Sequence, residues 1–546
     1  MHASARPGRH RGPAPAHGRH ARRRRAHRLR RTLLSALAIV VVLVLVVAGY
    51  GYYVTHDLHR VEVKGLSGSL TSGEEAGTEN ILMAGSTSRC ALTVQNPAYG
   101  LCSEGVNGVN SDVMMILHVN PAAHKLALLS IPRDLFVPNA RAEGANKIDA
   151  GLYEGLGQVV DSIEEDFGIP IQHAVSLDFD QFANIVDALG GIDMSFPDSV
   201  FDAESGLNVK AATCVHLDGT QALQVVRARH LQYATPETGP SAAYWPQEDQ
   251  SDLARIQRDH EFLRVLATKV AAQGLGNPFT DLNLVNSVKA DLTFDQSWSV
   301  GNMASLLSDF HSVNINAVPQ LTLPVSVVTD PQGAGGGLVY EDADYGDVEF
   351  PATAPDRAAV DQVLGIAADT DSLTGQRLPA ASSVTVSVEN GSGTYDQAAT
   401  TSAALSALGF QTVGTGDASV AGEVEETVVY YGSRAGAAEA AAEEVVNSMS
   451  GAVIMAYDPS MVASGAQVTV VTGTDFAVNA PPASSVGAPG SSGSAGGTGT
   501  STGTAPSTDS SAIAAPTPDD EALASWDPRA CPAGATPTAP QPNPVH

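Results

Sequence analysis

Hydrophobic and polar positions change rhythm three times along this chain. From Thr32 to Val54 the stretch "TLLSALAIVVVLVLVVAGYGYYV" runs for 23 residues without a charge. A helix needs roughly 20 apolar residues to cross a hydrocarbon core of about 30 Å, so the run predicts a single N-terminal transmembrane helix over 32–54. Farther on, apolar runs of strand length appear: "NILMAG" (80–85), "DVMMILHV" (112–119), "KLALLSI" (125–131) and "HAVSLD" (173–178). Helical periodicity over 150–167, 179–189 and 251–270 separates or follows them, with Gly190-Gly191 as a stop and Ser251 as an N-cap. Asn120-Pro121 punctuates a hairpin between two of the strands. The alternation predicts an α/β domain over 78–325, a mixed sheet covered by helices on both faces.

A looser stretch, 326–382, reads as a linker. Strand-like "VTVSVENGSG" (384–393), "ETVVYY" (426–431) and "QVTVVTG" (467–473) then alternate with Ala-rich helices over 395–408 and 433–446. These predict a small α/β C-terminal domain over 383–477. From 478 to 546, Ser, Gly, Thr, Pro and Ala dominate without periodicity, which predicts a disordered tail.

Charge sharpens the membrane reading. The net charge of −29 is an average of two unlike parts: residues 1–31 hold 11 Arg, no Lys and no acid, and the remainder has 19 basic against 59 acidic side chains. A basic cytoplasmic arm (1–31) before an apolar span, with Tyr50, Tyr52 and Tyr53 beyond it, fits positive-inside topology with an aromatic belt. The expected localisation is the cell membrane, single-pass, N-terminus cytoplasmic and the rest extracellular. Topogenesis accounts for the arm's charge, so no nucleic-acid partner is expected. All four cysteines fall on the outer side, where disulfides persist, and their spacing fits no zinc site. Cys90 with Cys102 would close a short loop; partners for Cys214 and Cys531 stay open.

The candidate chemistry lies in arginines. In "ALQVVRARH" Arg227 and Arg229 are two apart, a spacing that shares a face only if the chain has left the helix. Asp112 sits at the mouth of a buried strand, and Arg133 and Asp134 lie just past the end of the next, where α/β sheets collect ligands. Arg255 and Arg258 are three apart, which places them on one helical face. A strongly acidic protein that keeps arginines at a few apolar-flanked positions points to a polyvalent anion. Pyrophosphate fits, with Asp112 as the metal ligand for a divalent cation.

The blocks "SDVMMILHVNP", "LLSIPRDLFVP", "NKIDAGLYEG", "DFDQFANIVDALGGIDM", "LDGTQALQVVRARH" and "DLARIQRDHEFL", in that order, resemble the LytR-CpsA-Psr family of bacterial wall-polymer ligases. Residues 384–476 resemble the LytR C-terminal domain that often follows in actinobacteria. The resemblance implies a phosphotransferase that moves a glycopolymer from a polyprenyl-pyrophosphate carrier onto peptidoglycan. It implies catalytic roles for Asp112, Arg133, Arg227 and Arg229, substrate contacts from Arg89, Lys147, Arg255 and Arg258, Mg²⁺ on Asp112, and an apolar tunnel for the prenyl chain between sheet and helices. Three positions depart from the family pattern: Thr87 where an Asp is usual, Asn110 where an Arg is frequent, and Asp259 in place of a Gln. Asp134 or Asp149 could replace the missing metal ligand. A pyrophosphatase acting on lipid-linked polymer and a non-catalytic wall-binding or regulatory protein are the alternatives.

Overall fold

The computed structural model describes residues 59–68, 77–87, 102–104, 108–248, 251–272, 292–299, 302, 306, 313–327, 338–340, 343–367, 369–418, 426–434, 436–479 and 523–545. The basic arm, the apolar run 32–54, Arg89 and Cys90 lie outside them. Among the described residues no helix is long and apolar enough to cross a membrane.

A seven-stranded mixed sheet forms the centre of the first domain. Its strands are β1 (His59–Val61), β2 (Glu79–Ser86), β3 (Ser111–Asn120), β4 (Lys125–Ile131), β5 (His173–Leu177), β6 (Thr293–Asp295) and β7 (Gln320–Thr322), in the order β1-β6-β5-β2-β3-β4-β7. β2, β3 and β4 are antiparallel, whereas β5 joins β2, and β7 joins β4, in parallel. The Asn120 side chain accepts from Ala123 N at 2.9 Å and closes the predicted β3–β4 hairpin.

Alternation along β2 and β3 divides the domain. Leu82, Ala84, Met114 and Ile116 face a core completed by Val159, Val160 and Ile163 of α1 (Leu156–Phe167). Met83, Val113 and Met115 face the other way, toward α2 (Phe179–Ala188), α3 (Gly219–Arg227) and α4 (Ser251–Ala272). Helices α2 and α3 both start at capping boxes, Asp178 with Gln181 and Asp218 with Gln221, which fix where each begins.

The expected linker 326–382 is folded. Val325–Val327 pairs with Glu349–Pro351, and α5 (Thr353–Leu364) packs Val360, Val363 and Leu364 into the α1 core. Its apolar positions are few, so the periodicity was faint. The C-terminal domain has the expected α/β form: β8 (Thr385–Asn390), β9 (Gln411–Asp417), β10 (Thr427–Tyr431), β11 (Val453–Tyr457) and β12 (Val468–Thr472) in the order β9-β8-β12-β10-β11, with α6 (Gln397–Leu408) and α7 (Gly436–Val446). Val428, Ile454 and Ala456 enter the α1 core, and Asn139 exchanges two 3.1 Å hydrogen bonds with the Tyr457 backbone.

The expected disorder of 478–546 fails at its end. Residues 523–545 run along the first domain, with Arg529–Ala530 pairing against Ile192–Phe196. Trp526 stacks on Tyr233 at 3.8 Å, and Cys531 is bonded to Cys214. This segment is held by backbone pairing and a disulfide rather than by an apolar stripe, so periodicity could not reveal it. Cys102 is also disulfide-bonded; its expected partner, Cys90, is outside the described residues.

Candidate active site

Between the sheet and helices α2, α3 and α4 lies a cavity of about 250 Å³. Its walls are apolar: Met83, Val113 and Met115 from the sheet, Phe182 and Ile185 from α2, Leu223 and Val226 from α3, and Phe262, Leu263 and Leu266 from α4. Four charged residues also line it, Asp112, Asp178, Arg227 and Asp259. The guanidinium of Arg227 sits 4.5 Å over the ring of Phe179, so it is held by a cation–π contact next to the apolar space.

Asp112 links this cavity to an ionic cluster. Arg133 donates to Asp112 and, through Nε at 3.3 Å, to Asp134. Asp134 also accepts from Lys147 Nζ at 2.9 Å and from Arg229 Nη2 at 3.1 Å. Asp252, at the start of α4, lies 3.2 Å from Arg229 Nε and 3.1 Å from Arg255 Nη2. Three of the predicted arginines, Arg133, Arg229 and Arg255, thus converge from three places in the sequence.

Local structure explains the positions. Pro132 follows the last residue of β4, so Arg133 and Asp134 leave the sheet just past that strand's end. Helix α3 ends at Arg227 and Ala228 is extended, with ψ 116°. Buried Asp202 accepts from the backbone N–H groups of Arg229 and His230, both at 2.9 Å, and holds that exit. The two arginines therefore serve adjoining regions, Arg227 the cavity and Arg229 the cluster.

The cluster holds more carboxylates than its cations satisfy. Burial tends to raise Asp134, but Arg133, Lys147 and Arg229 outweigh it and hold the group below the usual carboxylate range. Burial pushes Asp149 up to about 6 against the pull of Arg133. It pushes Asp259 up to about 7, and Glu349, facing Asp252 and Asp134, up to about 8. Arg133 keeps its charge because Asp112, Asp134, Asp149 and Asp252 surround it, despite burial. Among the described residues, Asp149 Oδ1 and both oxygens of Asp252 and Asp259 receive no hydrogen bond, and the Nε groups of Arg229 and Arg255 donate none. Asp252 is stabilised by charge proximity without hydrogen-bond geometry.

Arg258 corrects the expectation for the α4 pair. It is fully buried and turned away from the cluster, donating to Glu248 at 2.6 and 2.8 Å and to Asp527 at 3.0 Å. Two side chains three apart on a helix diverge enough for one to face the site and the other the C-terminal segment. Asp252 and Glu349 were missed. The first reads as an ordinary acid in a helix's first turn, and the second comes from the supposed linker. At the departures, Thr87 and Asn110 bond each other reciprocally, at 2.9 and 3.0 Å, and Asn110 Nδ2 donates to Asp149 at 3.0 Å. Asp149 is thus joined to Thr87 through Asn110.

Residues 52–344 match the LytR_cpsA_psr family, and residues 383–476 match the domain described as LytR cell envelope-related transcriptional attenuator. The probable cell wall biosynthesis protein LcpB of Corynebacterium glutamicum is 31% identical over 234 residues, 42% of this chain and 51% of that relative, so the match spans about half its length. The cell wall biosynthesis protein LcpA of the same bacterium is 25% identical over 499 residues, 81% of this chain and 88% of the relative. A polyisoprenyl-teichoic acid–peptidoglycan teichoic acid transferase, TagU of Halalkalibacterium halodurans, is 26% identical over 241 residues, 42% and 73% of the two chains. Among solved structures, a LytR-Csp2A-Psr enzyme from Actinomyces oris covers 49% of this chain and 88% of its own, with 23% identity and a TM-score of 0.38.

Proposed function

With more than half of its length matched, the chain belongs to the LytR_cpsA_psr family, and from that premise we propose that it is a membrane-anchored phosphotransferase moving a glycopolymer from a polyprenyl-pyrophosphate carrier to peptidoglycan. The observation that carries this reading is one arrangement: an apolar cavity whose lining includes Asp112 and Arg227, next to the Arg133, Arg229 and Arg255 cluster. Such a site suits a molecule with a greasy tail and a multiply charged head. In the reaction, an acceptor hydroxyl attacks the phosphorus that bears the polymer. The bond to the bridging oxygen breaks, polyprenyl monophosphate departs with the electron pair, and the hydroxyl's proton leaves to solvent. Phosphoryl transfer asks the protein for positioning and charge neutralisation more than covalent help. Arg227 and Arg229 would grip the two phosphates, and Arg133, held by Asp112 and Asp134, would face the departing one.

The residues fit Mg²⁺. Buried carboxylate oxygens without hydrogen-bond donors, Asp149 Oδ1 among them, are suited to a hard cation, and Mg²⁺ commonly takes one or two carboxylates plus substrate phosphates and water. Asp112 would hold it, with Asp149 supplying the carboxylate that Thr87 lacks. When bound, Mg²⁺ would neutralise charge on the transferring phosphoryl group.

The uncharged run 32–54 behind the basic arm supports anchoring, with the folded part outside. The disulfide between Cys214 and Cys531 supports an oxidising compartment. Lipid extraction tests the proposal. Full-length protein is expected to co-purify with polyprenyl phosphates, and Arg227→Ala to lose most of them. Protein free of prenyl lipid, purified from membranes that contain it, would contradict the reading.

A further inference from the structure

Away from the arginine cluster, three carboxylates meet between the two domains. Asp371, Glu439 and Glu443 each present an oxygen within 4.8 Å of the others, and all three are buried. Asp371 belongs to the loop before the C-terminal domain, and that loop folds around its carboxylate. Oδ1 accepts from Leu373 N at 2.9 Å and Thr374 N at 3.2 Å, and Oδ2 from Thr374 Oγ1 at 2.5 Å. The next residue, Ser372, donates to the carbonyl of Gly168, which caps α1 in the first domain. Glu439 and Glu443 lie one turn apart on α7.

Glu439 separates this group from an ordinary acidic patch. Its side chain belongs to a residue only 1% exposed, yet neither oxygen receives a hydrogen bond from any described residue, and it points at two further carboxylates. Arg357 is the cation that acts on it, and that guanidinium already donates to Glu443 and to the Phe167 carbonyl. Three carboxylates against one guanidinium leave two surplus negative charges in a dry, low-dielectric place, which is strongly unfavourable without a counter-ion.

We propose that Asp371, Glu439 and Glu443 bind a Ca²⁺ ion, which ties the C-terminal domain to the first domain. The donors are oxygen only, which selects a hard cation. Three carboxylates offer up to six oxygens in irregular geometry, which Ca²⁺ accepts, whereas Mg²⁺ demands near-octahedral coordination and retains waters. One divalent charge cancels the surplus. The site is separate from the transfer site, and the inference does not rest on the transferase reading.

The test uses metal-stripped, full-length protein in detergent, titrated with CaCl₂ by calorimetry and unfolded thermally in CaCl₂ and in EDTA. One saturable Ca²⁺ per chain is expected through this site, raising the Tm by at least about 3 °C. Glu439→Gln is expected to lose both the site and the shift, while Asp112→Asn keeps them. Equal wild-type Tm in CaCl₂ and EDTA overturns the proposal without any variant. So does a Glu439→Gln protein that retains the full shift.

Discussion

Arg258 and Asp527 are 269 positions apart in the chain and share a 3.0 Å hydrogen bond inside the first domain. Arg258 also donates to the carbonyl of Ala228, the residue between Arg227 and Arg229. The C-terminal segment, the buried guanidinium and the turn that aims the two candidate catalytic arginines therefore form one connected unit.

The disulfide between Cys214 and Cys531 fastens that unit covalently. Its loss, by reduction or in a Cys214→Ser variant, is expected to destabilise the protein by roughly 2–5 kcal/mol. Denaturant unfolding of wild type and of Cys214→Ser, both without reductant, measures this, and coincident curves for the two would argue against a structural role.

Arg258 and Arg227 should separate stability from function. Arg258→Leu strands Glu248 and Asp527 as buried, uncompensated acids, so a loss of about 3–5 kcal/mol is expected. Arg227→Ala removes a charge at the cavity and is expected to reduce transfer by at least about 10²-fold while the Tm changes little. Paired thermal melts and activity measurements on both variants decide whether the roles divide in this way.

The apolar cavity offers an independent handle. Leu263 lines it from α4, and a Trp there extends into open space rather than into packed core. Leu263→Trp is expected to lower co-purified prenyl lipid by about tenfold or more, since several methylenes lose their place at roughly 0.8 kcal/mol each. Unchanged lipid in this variant would mean that the chain binds elsewhere.

Stability should depend on pH in a definite direction. Burial holds Asp356 up at about 8 against the pull of Arg357, and Glu349 also lies at about 8. A carboxyl whose folded pKa is raised stabilises the fold fully only below its unfolded pKa, and that contribution is lost as pH rises to about 8. His118 and His260, lowered by burial to about 4, act oppositely, but only below about 6.5. Unfolding free energy measured in EDTA is therefore expected to fall between pH 6.5 and 8.5, by at most about 1.4 kcal/mol per pH unit for each such group. Asp356→Asn should flatten the slope. A slope identical to wild type would remove Asp356 from the explanation.

Much of the site could be read in advance because its signals are local. Arg227 and Arg229 at a spacing of two signalled a helix end, and the structure ends α3 at Arg227. The apolar runs of strand length at β2 and β3 predicted a sheet with two covered faces, one of which carries the cavity. What stayed hidden depends on distant partners. Asp252 looks like any acid in a first helical turn until Arg229 and Arg255 are brought to it. Glu349 belongs to a segment whose strands are only three residues long, too short to show a period. Arg258 shares its helix with Arg255, yet its partner Asp527 comes from a stretch with no apolar pattern at all.

The central claim is that these arginines and Asp112 act together on a lipid-linked pyrophosphate at the cavity. Its most direct measurement is single-turnover transfer from a synthetic polyprenyl-pyrophosphate glycan to a peptidoglycan fragment, with product and released lipid followed by mass spectrometry. The account predicts a phosphodiester-linked glycan on the acceptor and one polyprenyl monophosphate per transfer with wild type, reduced at least about 10²-fold in Arg227→Ala and Asp112→Asn. Glycan phosphate released to water with none on the acceptor, or undiminished transfer by both variants, would contradict it.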